Sequence, residues 1–314
     1  MIPEIICIGM GTVDLMAQGV GEVKLDGSTF FVDSAGMKTG GDATNESITL
    51  HKVGHEVALV TAVGNDDAGK FYKMKVAESG VATDGIAVSE EYPTATSIVL
   101  IGKDGERSFL ALENNAASTM RFLLPEGVEI GKGLKAISLA SLFYTKGQKD
   151  EDMAALLKQA REAGAVTFAD LVMDLKDLTL DDIKETLSYL DYVVPSYDEA
   201  VYYTKKTDPK EITEVLRSYG AKNVIIKMGA KGVYASQNGQ ELMVPTIAEK
   251  VVDTTGAGDN FMAGFISGIV QGMNLEEALY FGSATSAISI SQIGATGAVK
   301  SREQVEEYLE KHRA

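Results

Sequence analysis

Short apolar runs rich in β-branched residues alternate along this chain with segments whose apolar positions recur at helical spacing. Strands are predicted at 5–8, 57–63, 136–139, 166–169, 191–194 and 223–227, and helices at 41–53, 68–79 and 152–163. In the first of these helices Ala43, Ile48 and Leu50 are among the apolar positions. Such alternation predicts βαβ units, and so an α/β fold with a doubly wound, mostly parallel sheet flanked by helices. The C-terminal part reads as helical at 258–271, 274–292 and 301–311. There is no fixed-period repeat and no low-complexity tract.

Two stretches break the rhythm. Residues 14–40 hold Gly19, Gly21, Gly27 and Gly36 among β-prone pieces such as Thr29-Phe30-Phe31-Val32. Residues 93–112 hold two β runs, 96–101 and 107–112, joined by Gly102-Lys103-Asp104-Gly105. The Asp-Gly pair supplies the positive φ angles of a tight hairpin turn. Together the two stretches are expected to form a small β-sheet lid, with 1–13, 41–92 and 113–314 as the core beneath it. The alternative is two unrelated surface loops.

Composition narrows the classes. The 314 residues include 45% hydrophobic and 24% charged, enough to bury a full core. A formal net charge of −16 excludes a large phosphate-backbone footprint and docking on anionic membranes, so neither nucleic acid nor membrane is an expected partner. It leaves room for one nucleotide, because backbone N–H groups bind an anion inside a negative protein. The single cysteine, Cys7, lies in the run Ile5-Ile6-Cys7-Ile8, is expected to be buried and allows no internal disulfide. The segment Met1-Ile2-Pro3-Glu4 has no charged leader pattern, and no run reaches roughly 18 apolar residues, so a cytoplasmic protein is expected.

The run Val251-Val252-Asp253-Thr254-Thr255-Gly256-Ala257-Gly258-Asp259-Asn260-Phe261 carries the strongest chemistry. A short β run is expected to end at Asp253, followed by a glycine-rich turn and the start of a helix. The small residues 256–258 let a ligand approach the backbone. The helix-start N–H groups and the helix dipole then face an anion. Asp259 in that first turn would lie beside a bound phosphate, where phosphoryl transfer needs a carboxylate to take the alcohol proton. A capped helix after a glycine turn is the plainer reading. A second run, Gly40-Gly41-Asp42-Ala43-Thr44-Asn45, opens the helix after the first β stretch. Asp42 and Asn45 suit sugar hydroxyls, although Asp42 and Thr44 equally suit helix capping. Asp14 follows the first strand, where open α/β sheets place ligand contacts, and also reads as a turn aspartate.

Together these runs resemble the ribokinase-like (PfkB) carbohydrate kinase family. Gly40-Gly41-x-x-x-Asn45 matches its N-terminal signature, and 253–259 matches its C-terminal signature almost letter for letter. The resemblance covers nearly the whole chain and implies the ribokinase-like fold, with the two β stretches as its lid. It implies Asp259 as general base, with Gly256, Ala257 and Gly258 as the anion hole. Asp14, Gly40, Gly41, Asp42 and Asn45 would hold the substrate. The ATP strand has its counterpart at 224–233, with Lys227, Gly229 and Gly232, and Thr255 completes the phosphate contacts. Lys227 stands where the family has threonine; it either meets an ATP phosphate or is a surface lysine. The helix around 284–291 would flank the adenine. The family's Asn-x-x-Glu element appears as Ser196-Tyr197-Asp198-Glu199, so Glu199 is retained for magnesium, through water, while the asparagine is absent. Asp170 is expected in the same polar cluster. A monovalent cation, potassium, is implied beside the anion hole, in the region of Asp253, Thr255, Ser289, Gln292 and Gly294.

Other chemistries lack their residues. There is no Gly-x-x-x-x-Gly-Lys-Ser/Thr, no Gly-x-Ser-x-Gly, and no cysteine or paired glutamate to complete a zinc set with His51 and His55. In Gly9-Met10-Gly11 the third glycine of a dinucleotide fingerprint falls on Asp14. The expectation is an ATP- and magnesium-dependent kinase acting on a primary hydroxyl of an unphosphorylated sugar, fructose-like or ribose-like. An acidic Asp42 disfavours a sugar phosphate, although Lys103 and Arg107 on the second β stretch are cations that a substrate anion would meet. A nucleoside kinase on the same fold is the alternative, and a non-catalytic sensor of sugar or nucleotide a further one. Apolar lid residues, Phe30, Phe31, Val32 and 96–101, suit either a homodimer through the lid or a lid folded on its own core.

Overall fold

The computed structural model describes residues 2–312 except 24, 25, 27, 104, 105, 122, 145, 146 and 174–177, and except the side chain of Arg107. Gly27, Asp104, Gly105 and the Arg107 side chain therefore lie outside the described residues. In chain order the elements are β1 (Ile5–Ile8), β2 (Thr12–Val20), β3 (Ser34–Gly40), α1 (Asp42–Lys52), β4 (Val57–Gly64), α2 (Asp67–Glu78) and β5 (Ile86–Ser89). Then come β6 (Thr96–Gly102), β7 (Arg107–Ala111), α3 (Ala116–Thr119), β8 (Ala136–Leu142), α4 (Asp150–Glu162), β9 (Val166–Leu171), α5 (Lys184–Tyr189) and β10 (Tyr192–Val193). The last group is α6 (Tyr197–Thr204), α7 (Pro209–Ser218), β11 (Asn223–Lys227), β12 (Val233–Gln237), β13 (Gln240–Val244), α8 (Ala257–Val270), α9 (Leu275–Ser289) and α10 (Arg302–His312).

Among the described residues nine strands form one sheet in the order β13-β12-β11-β10-β9-β8-β1-β4-β5, parallel from β11 to β5 and closed at one edge by the antiparallel β12–β13 hairpin. Its strands are apolar on both faces because helices cover both. In β1, Ile5 and Cys7 enter the core packed by α1, α2, α8 and α9, while Ile6 and Ile8 enter the core packed by α4, α5, α6 and α7. The chain runs outward from β1 through β4 to β5, then returns to the other side at β8. That reversal opens a crevice beyond the carboxyl ends of β1 and β8, where open α/β sheets bind ligands.

The second sheet has the order β3-β2-β6-β7 and is the small lid sheet. The hairpin β6–β7 pairs Ile101 with Arg107, and Gly102 N–H donates to Glu106 O at 2.8 Å. Three local expectations fail. Thr29–Val32 is no strand: Phe31 is 91% exposed, and the paired segment begins at Ser34, where β3 meets Gln18 of β2. Val251 and Val252 form no strand either; Val252 N–H donates instead to Ile290 O at the end of α9, 2.8 Å away. That helix ends at Ser289, so Gln292 falls in the exposed segment beyond it.

Candidate active site

Two helices start in the crevice, and each starts on a glycine that no other residue can replace without strain. Gly41 precedes α1 at φ 96°, and a Cβ there would sit 2.3 Å from Met10 O in the segment after β1. Gly256 precedes α8 at φ 73°, and a Cβ there would sit 2.5 Å from Ala295 Cβ. Neither start has a side-chain cap. Gly40 serves a neighbour: a Cβ on it would meet Asp14 Oδ2 at 2.6 Å, so its absence lets the Asp14 carboxylate lie across the backbone. Burial pushes that carboxyl up to about 6.

Side chains on the two helices join across the crevice. Asn45 Nδ2 donates to Asp259 Oδ2 at 2.7 Å, and Thr49 Oγ1 donates to Asn260 Oδ1 at 2.9 Å. Asn260 Nδ2 in turn donates to Gly256 O and Ala295 O, both at 2.7 Å, and so ties the α8 turn to the segment after α9. Asp253 staples the same two segments: Thr255 N–H donates to one carboxylate oxygen at 2.8 Å and Gly294 N–H to the other at 2.9 Å. Ala257 N–H donates to Thr254 O at 3.1 Å within the turn, so it is partly engaged before any ligand arrives. Of the remaining residues of the implied cation region, Ser289 is buried with its hydroxyl donating to Ser286 O, and Gln292 points to solvent.

A cleft of about 610 Å3 runs from Asp42 and Asp259 past Lys227, Gly229 and Gly232 to Ser286 on α9. Lys227, at the end of β11, is half-buried with its side chain 13% exposed, which removes the surface-lysine reading; its Nζ pairs with the buried Asp170 Oδ2 at the end of β9. The nearby acids disfavour one another's charge. Asp259 is raised by burial, with Glu199 adding and with Asn45 and Lys227 opposing. Asp42 is held well above the carboxylate range by burial and by Asp259, although Ser141 Oγ donates to it at 2.9 Å. Burial pushes Asp170 to about 7 against the pull of Lys227. Burial alone would lower Lys227, but Asp170 and Glu199 leave it above its ordinary value.

Glu199 closes a capping box at the start of α6: Ser196 N–H donates to Glu199 Oε2 at 2.7 Å and Glu199 N–H to Ser196 Oγ at 3.3 Å. The serine thus serves as a helix cap. No three His, Cys, Asp or Glu residues among the described residues form a metal cage. Asp170 Oδ1 is buried and has no partner among the described residues, and with Glu199 it suits the waters of a magnesium ion brought in on phosphates. Three polar residues had no signal in the sequence: Ser141, Ser138 and Glu46. Glu46 is fully buried on α1, accepts from Ser138 Oγ at 2.8 Å, and is held well above the carboxylate range by burial. An acid among the apolar positions of a helix reads as surface until the packing is known.

The family model described as pfkB family carbohydrate kinase matches residues 4–302, and this chain belongs to that family. Ribokinase of Haemophilus influenzae is 26% identical over 276 residues, covering 86% of this chain and 87% of that protein. Probable fructokinase-5 of Arabidopsis thaliana is 28% identical over 317 residues, covering 95% and 94%. The solved structure of Arabidopsis thaliana ribokinase, complexed with ribose and ATP, superposes with a TM-score of 0.83 at 24% identity, covering 98% of this chain and 99% of that one. The fold is ribokinase-like and the protein is a carbohydrate kinase. No helix of the described residues is long and apolar enough to cross a membrane.

Proposed function

We propose that this enzyme transfers the γ-phosphoryl group of ATP to a primary hydroxyl of an unphosphorylated, fructose-like or ribose-like sugar, with Asp259 as the base. The observation that carries this reading is the placement of Asp259 in the first turn of α8, facing the cleft and held by Asn45 Nδ2 at 2.7 Å. Burial raises its affinity for a proton, which suits a group that must take one from an alcohol. The hydroxyl proton passes to Asp259 as the new O–P bond forms and the bond to the leaving phosphate oxygen breaks. N–H groups of Gly256 and Gly258 at the α8 start meet the charge on the transferring group. Asp14, Asp42 and Asn45, with Gly40 and Gly41 clearing the approach, hold sugar hydroxyls. The ATP phosphates run past Thr255 and Lys227, and the adenine lies over Gly229, Gly232 and α9. Magnesium, with Asp170 and Glu199 toward its waters, would shield the phosphates when bound. Potassium would sit where Asp253 joins the turn at 255 to Gly294 and the end of α9.

The lid supports a homodimer. On the face opposite Asp14, Met37, Leu15, Ile98 and Leu110 form one row across all four strands and are 43%, 39%, 41% and 60% exposed. A second copy of this row would cover it. Light scattering tests this: Leu15→Lys turns a dimer into a monomer, and a monomeric wild type removes it.

ATP consumption with magnesium, against a panel of sugars, sugar acids and nucleosides with and without potassium, tests the main reading. Turnover of a neutral sugar supports it. Turnover of nucleosides alone keeps Asp259 as base and replaces the substrate, whereas silence across the panel sinks the reading.

A further inference from the structure

Lys227 is the one basic side chain among the described residues lining the cleft, and it faces Asp42, Asp170, Glu199 and Asp259 there. Its side chain is 13% exposed and that of Asp170 9%. A Cβ on Gly258 would lie 3.2 Å from Lys227 Nζ, so the ammonium rests close against the first turn of α8. It stands on the strand side of this turn, whereas Asp259 is held from the α1 side by Asn45.

A purely structural ion pair in a fold interior satisfies its own polar atoms, because a buried oxygen that gives up its water without gaining a donor is destabilising. This pair does not: Asp170 Oδ1 is buried without a partner among the described residues, and both residues open onto the cleft. A lysine ammonium has three donors; the Asp170 carboxylate fixes the direction of one. The charge therefore stays preorganised beside the helix start, where negative charge develops on a phosphoryl group in transfer.

We propose that Lys227 is a catalytic residue whose ammonium contacts the oxygens of the transferring phosphoryl group, and that Asp170 is the positioning residue that aims it at the first turn of α8. This rests on the kinase reading above. Lys227 keeps its proton throughout; the hydroxyl proton goes to Asp259, and Lys227 contributes charge only.

The test separates binding from turnover. Calorimetry measures ATP binding once with magnesium and once with a chelator in its place, and initial rates give kcat and KM. Because Lys227→Met leaves a buried carboxylate unpaired, the double variant Lys227→Met/Asp170→Leu is measured beside it. Both variants should bind chelated ATP at least about tenfold more weakly than wild type, bind magnesium–ATP within about threefold, and lose about 10²–10³-fold in kcat. Lys227→Arg should recover part of that kcat. Asp170→Asn should lower kcat about tenfold with little change in KM, since it misdirects the ammonium without removing it. A structural pair would instead lower the melting temperature and leave the kcat of the folded protein alone. Unchanged chelated-ATP binding and kcat within threefold in the double variant overturn the inference while the kinase reading stands. A wild type that binds no ATP under either condition overturns both.

Discussion

Seven helix starts of this protein fall into two groups, while α4 and α5 start on Lys149 and Ile183 without a side-chain cap and outside the cleft lining. Those of α2, α3, α6, α7 and α9 are capped by side chains, from Asp66, Asn115, Ser196, Asp208 and Asn274. Those of α1 and α8 begin on Gly41 and Gly256 without a side-chain cap, and both face the cleft. A cap satisfies the first N–H groups with an oxygen from the chain itself, which stabilises a helix by about 0.5–2 kcal/mol. A bare glycine start forgoes that contribution and leaves the N–H groups and the dipole for an anion. In the proposed reading the second group holds the substrate, and in the first group only the start of α6 also lines the cleft, through Ser196 and Glu199. Substitutions at the other capped starts should move stability, and those at the glycine starts activity.

Asp259→Asn should give the largest effect: a fall in kcat of about 10²–10⁴-fold, with nucleotide binding close to wild type by calorimetry. A variant as active as wild type removes Asp259 from the base role. Gly256→Ala should follow. The added methyl meets Ala295 Cβ at 2.5 Å and the residue must hold φ 73°, so activity should fall by more than tenfold and stability by about 1–3 kcal/mol in denaturant titration. Gly54→Ala is its control, with φ 99° but nothing near the new methyl; it should cost only the backbone strain and leave kcat intact.

Acidity gives a third, smaller effect. Asp14, raised by burial from 3.8 to about 6, would have to be ionised to accept two sugar hydroxyls in the role proposed for it. Hence kcat/KM for the sugar should fall as pH drops through about 6, and Asp14→Asn should lose this limb along with most of the affinity. The sign for stability is opposite. A carboxyl with a raised folded value favours the fold below about 4, and that contribution is lost as pH rises through about 6. Asn274→Ala should have the smallest effect. Loss of its capping box should cost about 1 kcal/mol while kcat stays at the wild-type value. A large loss of turnover there would blur the division between the two groups.

How much was legible follows from how far apart the interacting residues are in sequence. Strand and helix periodicity is local, and so β1 and β11 are read correctly to the residue. The hairpin β12–β13 was equally legible and was missed: Asn238-Gly239, at φ 49° and 81°, joins two short runs by a two-residue turn. Thr29–Val32 misled because β propensity without a partner strand makes no sheet. The sequence by itself determined the α/β class and the two glycine-led helix starts, because short-range backbone geometry and nearby polar groups define both, and its two signature runs made the carbohydrate-kinase family legible by resemblance. Only the tertiary structure decided that Asn45 holds Asp259 across 214 positions, that Lys227 is turned into the cleft onto Asp170 rather than out to solvent, and that Glu46 lies in the core. Each depends on which strand ends the topology brings together, and no single segment of the chain carries that information.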